Sequence, residues 1–293
     1  MGAHKTMQGK TYLITGANSG IGYATAEGLA AQGGTVLLHA RSREKGEAAR
    51  AEIIKKTGNQ AVHLLLADLS VISEVKRLAA DVQARFNRLD ALINNAAIIP
   101  PQRTTTPDGL ETQFAVNHLA YFILGNLLLP LLQSSAPARL VNVSSSLHHS
   151  GKVDFENLQS EKRYEFNPVG GAGWGCYANT KLMNVLFTRE MARRLGANAT
   201  VTVNALHPGL IGTNLVRAAM PKWFQPIYRA VVGKPNRGAQ TSIYLATSAE
   251  GGRVTGKYFA DSKEAPMAEA AKDDATARRL WEISAELAQL ETI

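Results

Sequence analysis

Tyr177 and Lys181 stand four positions apart in the run Tyr177-Ala178-Asn179-Thr180-Lys181. On a helix that spacing puts phenol and ammonium on one face, where both can enter one pocket. A free phenol titrates near pH ~10 and is a poor proton donor or acceptor at neutrality. A neighbouring cation favours the phenolate and brings the group towards useful acid–base chemistry. Such pairs are common on helix surfaces, so the spacing alone says little. It gains weight from a second motif upstream, Thr15-Gly16-Ala17-Asn18-Ser19-Gly20-Ile21-Gly22. Gly16, Gly20 and Gly22 allow a tight turn and close approach of backbone to a pyrophosphate. A helix opening near Gly20 would aim free N–H groups and its positive dipole end at the phosphates. A phosphate cradle and a proton-transfer pair thus share one chain.

The elements that must position these groups follow from the apolar pattern. The apolar run 12–14 suits a buried parallel strand. Further strands are expected at 35–40, 61–66, 91–93, 139–143, 201–206 and 256–259. Between them, helical periodicity runs near 20–32, 43–56, 71–86, 110–132 (ending near Pro130) and 177–195. Alternation of this kind predicts an α/β fold: one domain over 1–293, a Rossmann-type doubly wound parallel sheet of about seven strands, with helices on both faces. Two stretches break the rhythm, 147–175 and 210–234. Both follow strands, and ligands in open α/β sheets bind beyond the carboxyl ends of strands, so both read as binding loops or lids.

Composition narrows the function. The 293 residues are 45% hydrophobic and 19% charged, which suits a packed domain rather than a disordered chain. The formal charge is +8. No basic run is interleaved with aromatics, so nucleic acid is not an expected partner; the charge covers helix faces and in part serves a polyanionic cofactor. Cys176 is the only cysteine, which rules out an intrachain disulfide and fits a reducing, cytoplasmic compartment. A packed or accessible thiol is expected there, not a nucleophile. The first ten residues are polar, and the most apolar internal stretch, 122–132, is too short to span a bilayer and contains Asn126 and Pro130. A soluble protein with no integral membrane segment is expected.

The second strand also speaks to the nucleotide. It ends in His39-Ala40-Arg41-Ser42-Arg43, with no acid at its tip. NAD sites place an acid about 20 residues after the glycines to bond the ribose 2′-hydroxyl. Here Arg41 instead offers a planar fork for a 2′-phosphate, so NADP(H) is the expected cofactor.

The glycine spacing is G-x-x-x-G-x-G, and with the Tyr/Lys pair it resembles the short-chain dehydrogenase/reductase family. By this resemblance Asn18, Ser19 and Ile21 join the three glycines around the cofactor, and Asp68 and Leu69 contact adenine. Asn94-Asn95-Ala96-Ala97 resembles the family's N-N-A-G element with Ala97 in place of its glycine, which sets Asn95 and Ala96 beside the cofactor. Asn117 would complete a catalytic tetrad by holding a water against Lys181. Of Ser144, Ser145 and Ser146, the second, Ser145, would polarise the substrate oxygen, with the assignment open by one position. Tyr177 would carry the proton, and Lys181 would tune it and hold the nicotinamide ribose. Pro208, Gly209 and Thr213 match P-G-x-x-x-T, where Thr213 and the backbone around Ile211 would hold the carboxamide. His207 is expected to be structural, and His148 and His149 to be loop residues.

Segments 142–149, 158–164, 186–189, 207–209 and 256–259 are similar to the retinol dehydrogenase-like branch. The resemblance implies an oxidoreductase moving a hydride between NADP(H) and a carbonyl or alcohol, and is compatible with a dimer or tetramer. Leu215, Val216, Met220, Trp223, Phe224, Ile227 and Tyr228 make 210–234 an expected apolar lid. That lid implies a bulky hydrophobic substrate, retinoid-, steroid- or aldehyde-like. Two other functions stay open: a non-catalytic NADP(H)-sensing protein on the same fold, and a module docking to membrane or partner through Trp223, Phe224 and Tyr228.

Overall fold

Strand β1 (Thr11–Ile14) is buried along its whole length, and its side chains alternate between two cores. Leu13 packs on one face of the sheet, Tyr12 and Ile14 on the other. The same alternation continues in β2 (Thr35–Ala40), β4 (Ala91–Asn94) and β5 (Ala138–Val143), as expected for a parallel sheet covered on both sides. These relations come from a computed structural model, which describes residues 6–162, 164, 166–167, 171–209 and 234–293.

On one face lie α1 (Gly20–Ala31), α2 (Arg43–Thr57) and α8 (Pro235–Thr247). The other is covered by α3 (Ile72–Arg85), α5 (Ala120–Leu127), α7 (Trp174–Leu195) and α9 (Asp274–Ala288). Local chemistry sets the boundaries. The Ser42 side chain caps α2 by accepting from Lys45 N, and left-handed Gly58 ends it. Asp273 caps α9 through the N–H groups of Ala275 and Thr276.

The remaining strands of the main sheet are β3 (Val62–Leu66), β8 (Val201–His207), β9 (Tyr258–Ala260) and β10 (Lys263–Glu264); β6 (Phe166–Asn167) and β7 (Gly171–Ala172) form a separate hairpin. The main sheet has eight strands in the order β10-β9-β8-β5-β4-β1-β2-β3. All seven expected strands are present and parallel. The eighth, β10, runs antiparallel to β9 at the edge. It is two exposed charged residues long, so no apolar run announces it. The β6–β7 hairpin lies within the stretch read as irregular.

Two helical expectations change in detail. The segment 110–132 is not one helix: α4 (Thr112–Phe114) passes into a π-helical turn at Ala115–Leu119, then α5, then α6 (Leu129–Ser134). Pro130 lies in the first turn of α6, where its missing N–H costs nothing, so it starts a helix rather than ending one. Helix α7 begins at Trp174, which places Tyr177 in its first turn. Among the described residues no helix is long and apolar enough to cross a membrane. The strand order reverses direction between β1 and β4, and the crevice beyond their carboxyl ends is where this fold binds ligands.

Candidate active site

The two loops flanking that crevice are tied together by Thr15. Its hydroxyl accepts from Asn95 N (2.8 Å) and Ala96 N (3.0 Å), while Asn95 Nδ2 donates to Thr15 O (2.8 Å). Gly16 and Gly20 take the left-handed conformation, with φ of 64° and 58°. Gly22 is needed for a different reason. A Cβ there would lie 2.5 Å from both Asn95 Nδ2 and Gly16 O. Gly22→Ala is therefore expected to force the two loops apart. That should weaken dinucleotide binding roughly tenfold and cost about 1–3 kcal/mol of stability, readable by cofactor titration and thermal unfolding.

His39 also shapes the cradle, a role that its position in the sequence does not suggest. Its Nδ1 accepts from Gly16 N (3.1 Å), and its backbone carbonyl accepts from Ala17 N (2.9 Å). Nε2 faces Ala67 O at 3.1 Å, so it must carry the proton. Burial lowers the ring to about 4, which keeps it neutral in this fixed tautomer. The only hint in the sequence is a polar residue inside the otherwise apolar strand β2.

The first turn of α1 follows directly. Ser19, its N-cap, makes no side-chain capping bond, and no acid stands in that turn, so its N–H groups face the crevice uncapped by side chains. Asn18 and Ile21 lie in the same turn-to-helix segment. Arg41 extends from the tip of β2 with its side chain 77% exposed, 3.8 Å from Asp68 Oδ2. Asp68 is held from its other side by Ser70 N (2.9 Å) and Ser70 Oγ (2.7 Å), and Leu69 beside it is buried. Left-handed glycines, a Cβ-free close approach and an uncapped helix start fit the pyrophosphate of a dinucleotide.

Tyr177 is nearly buried, packed with Ile99 and Trp174, with Ala97 and Leu147 against the cluster. The Trp174 and Tyr177 rings meet edge-on at 5.9 Å. One turn along α7, Lys181 is buried, and its Nζ donates to Val143 O (2.8 Å). That nitrogen lies 5.4 Å from the ring centroids of both Tyr177 and Tyr121. Burial lowers the ammonium to about 7. The start of α7 is pinned as well. Gln113 Nε2 donates to Gly173 O (3.0 Å), the carbonyl that accepts Tyr177 N (2.9 Å), and to Tyr164 Oη (2.8 Å), which in turn donates to Pro100 O (2.7 Å).

Asn117 sits in the π-helical turn, a distortion common at functional sites. Its Oδ1 accepts from Ile98 N (2.8 Å), and its Nδ2 donates to Ile98 O (3.0 Å) and Thr180 Oγ1 (3.3 Å). The amide thus joins the loop after β4 to α7, the helix that carries Lys181.

The three serines after β5 separate clearly. Ser144 is buried and its hydroxyl donates to Lys181 O (2.7 Å). Ser146 is exposed at the start of a 3-10 turn spanning Ser146–Ser150. Ser145 is half-buried, and its Oγ accepts from Leu147 N (3.2 Å), leaving the hydroxyl proton to donate elsewhere. Leu147 then packs on the Tyr177 cluster, so this turn sits beside the phenol.

Pro208 and left-handed Gly209 follow β8, whereas Ile211, Thr213 and the apolar segment 210–233 lie outside the described residues. His148 and His149, expected to be loop residues, both lie in the 3-10 turn Ser146–Ser150: His149 is exposed, whereas His148 is fully buried. Cys176 is a packed thiol 3.3 Å from Ser160 Oγ. Among the described residues no cluster of metal-ligating side chains occurs.

The glycine-loop crevice and the buried Tyr/Lys pair beside it place the molecule in the class of α/β oxidoreductases. The chain belongs to the short chain dehydrogenase family, whose model matches residues 10–157. It is 44% identical to retinol dehydrogenase 14 of Mus musculus over 295 aligned residues, covering 95% of this chain and 85% of that one. It is 42% identical to retinol dehydrogenase 13 of Homo sapiens, covering 98% and 86%. Among solved structures, an uncharacterized protein from Mycobacterium paratuberculosis superposes over the full length of both chains with a TM-score of 0.78 at 32% identity. The Pseudomonas aeruginosa RhlG/NADP active-site complex matches with a TM-score of 0.70 at 25% identity, over 88% of this chain and 96% of that one.

Proposed function

We propose that this protein is an NADP(H)-dependent dehydrogenase/reductase acting on the carbonyl or alcohol of a bulky hydrophobic substrate, with Tyr177 as general acid and base. One observation carries the reading: Lys181 is buried beside the Tyr177 ring, with no carboxylate among the described residues to neutralise it. A buried cation next to a phenol stabilises the phenolate, so the phenol can release and regain a proton near neutrality. When bound, the nicotinamide supplies or accepts the hydride.

The chain's own groups do the rest. Gly16, Asn18, Ser19, Gly20, Ile21 and Gly22 hold the pyrophosphate at the start of α1, and Arg41 pairs with the 2′-phosphate. Asp68, Leu69, Asn95 and Ala96 line the adenosine side, while Pro208, Gly209, Ile211 and Thr213 hold the carboxamide end. Ser145 donates its free proton to the substrate oxygen, and Tyr177 transfers a proton to that oxygen in reduction and removes it in oxidation. Lys181 keeps the phenol poised and binds the ribose. Asn117 holds the loop after β4 against α7, so that the cofactor and the phenol keep their spacing.

Arg41→Ala tests the cofactor assignment. A charge-assisted contact to the 2′-phosphate is worth about 1.5–3 kcal/mol, so NADPH affinity should fall roughly 10- to 150-fold while NADH affinity barely moves. Equal losses for both nucleotides would refute the assignment. The substrate class rests on the apolar wall of Ile99, Leu147 and Trp174 beside Tyr177, and on relatives that are named retinol dehydrogenases. Along a series of straight-chain aldehydes, kcat/KM should rise by about 0.8 kcal/mol, roughly fourfold, per methylene until the pocket is full. A flat or falling profile would remove the hydrophobic-substrate reading.

A further inference from the structure

The Ser145–Ser146 peptide is gripped from both sides by imidazoles. On its carbonyl side, His148 Nδ1 lies 2.7 Å from Ser145 O. A carbonyl oxygen only accepts, so Nδ1 carries the proton. The same ring's Nε2 accepts from Ala268 N (3.0 Å), in the segment between β10 and α9, and this fixes the tautomer from the other end. On the amide side of the same peptide, Ser146 N donates to His207 Nδ1 (3.2 Å) at the end of β8. His207 must therefore hold its proton on Nε2.

The clamp stands where the sheet stops supporting the chain. Val143 is the last residue of β5 paired with β8, opposite Leu206, and Ser144 N to Leu206 O (2.7 Å) is the last ladder bond. Beyond it the backbone of Ser145 is held by the 3-10 turn, where His148 N reaches Ser145 O (3.1 Å), and by the two rings. Neither imidazole has a carboxylate in hydrogen-bonding contact among the described residues. His148 instead packs against the rings of Tyr258 (4.4 Å) and His149 (4.1 Å). Burial lowers His148 to about 4 and lowers His207 as well, so both stay neutral, one as donor and one as acceptor. Their geometry suits holding a peptide, and not the shuttling of protons.

We infer that His148 and His207 are positioning residues: a paired-imidazole clamp that fixes the Ser145–Ser146 peptide and so aims the Ser145 hydroxyl at the substrate oxygen. The inference rests on the role given to Ser145 above. It explains how a serine beyond the sheet edge keeps a fixed direction, since displacements near 1 Å in a reacting constellation cost about 100-fold in rate.

Asparagine and glutamine substitutions separate the two ends of each ring. His148→Asn keeps a donor at the Nδ1 position, whereas His148→Gln keeps an acceptor near Nε2 and leaves no donor at Nδ1. His207→Asn keeps the acceptor for Ser146 N, and His207→Leu removes it. With NADPH and a long-chain aldehyde, the two Asn variants should hold kcat within about threefold. His148→Gln and His207→Leu should lose roughly 10- to 100-fold in kcat, with NADPH Kd and aldehyde KM nearly unchanged. In a Ser145→Ala background neither loss should recur. If His148→Gln does not fold, the His207 pair decides the question by itself.

Native kcat in folded His148→Gln or His207→Leu would overturn the clamp, as would equal losses with and without Ser145. Native kcat in Ser145→Ala alone would instead overturn the serine assignment, and the inference with it. A second measurement needs no turnover: imidazole 15N spectra of the cofactor-free protein at neutral pH should show His148 as the Nδ1–H tautomer and His207 as Nε2–H. The opposite tautomer at either ring would also overturn the clamp.

Discussion

Tyr177→Phe is expected to lower turnover by about 10²- to 10⁴-fold, the usual contribution of a well-placed proton donor, while leaving NADPH affinity within a few-fold of wild type. The substitution deletes one oxygen and keeps the ring. The ring's packing with Ile99 and its edge-on contact with Trp174 therefore persist, and α7 remains pinned at Gly173 by Gln113. Loss confined to kcat would mark a group acting on the reacting atoms rather than a structural one. The check pairs steady-state kinetics on a long-chain aldehyde with a fluorescence titration of NADPH. Near-native turnover in the variant would sink the proposed mechanism.

Lys181→Met should be nearly as severe, and it carries a signature in pH. Methionine fills a similar volume without charge, so the phenol loses the cation that favours its ionised form. A phenol with no such neighbour titrates near ~10, so only about one in a thousand is ionised at pH 7. NADPH binding should weaken too, through loss of the proposed ribose contact. Stability gives an independent reading. Lysine in the unfolded chain titrates near 10.5, and in the folded cofactor-free protein at about 7. Between those values the unfolded state binds more protons, so wild-type stability rises with pH across that window. Below pH 7 both states are protonated and the cost of burying the charge is fully present. The melting temperature of the variant minus that of wild type should thus be most positive near pH 6 and fall steadily towards pH 10. A difference independent of pH would mean that Lys181 is not buried as a titrating cation.

Much of the architecture could be read from local pattern. Each strand from β1 to β9 that entered the sheet carried an apolar run, and the glycine turn was legible because left-handed backbone at Gly16 and Gly20 admits few other residues. Where local signals were weak, the pattern was silent. Strand β10 consists of exposed Lys263 and Glu264, and its pairing with β9 depends on the edge left by a neighbouring strand. The π-helical turn at Ala115–Leu119 has ordinary helical periodicity in sequence. Only the bonds from Asn117 to Ile98 and Thr180 show why the helix is distorted there.

The site divides along the same line. Residue type and spacing singled out Tyr177 and Lys181, the three glycines and Arg41 as candidates, because the helix period and the left-handed turn are short-range properties of the chain. Spacing could not say that Lys181 would be buried, nor that its burial would bring the ammonium down to about 7. It could not tell Ser144, whose hydroxyl goes to Lys181 O, from Ser145, whose proton stays free. Read from sequence, His207 had only a general structural role and His39 and His148 had none, because their partners Ser146, Gly16 and Ala268 lie 61, 23 and 120 positions away. Desolvation and hydrogen-bond pairing depend on what the folded chain brings within a few ångströms. Periodicity needs only near neighbours, so the elements were visible in advance and the electrostatics of the site were not.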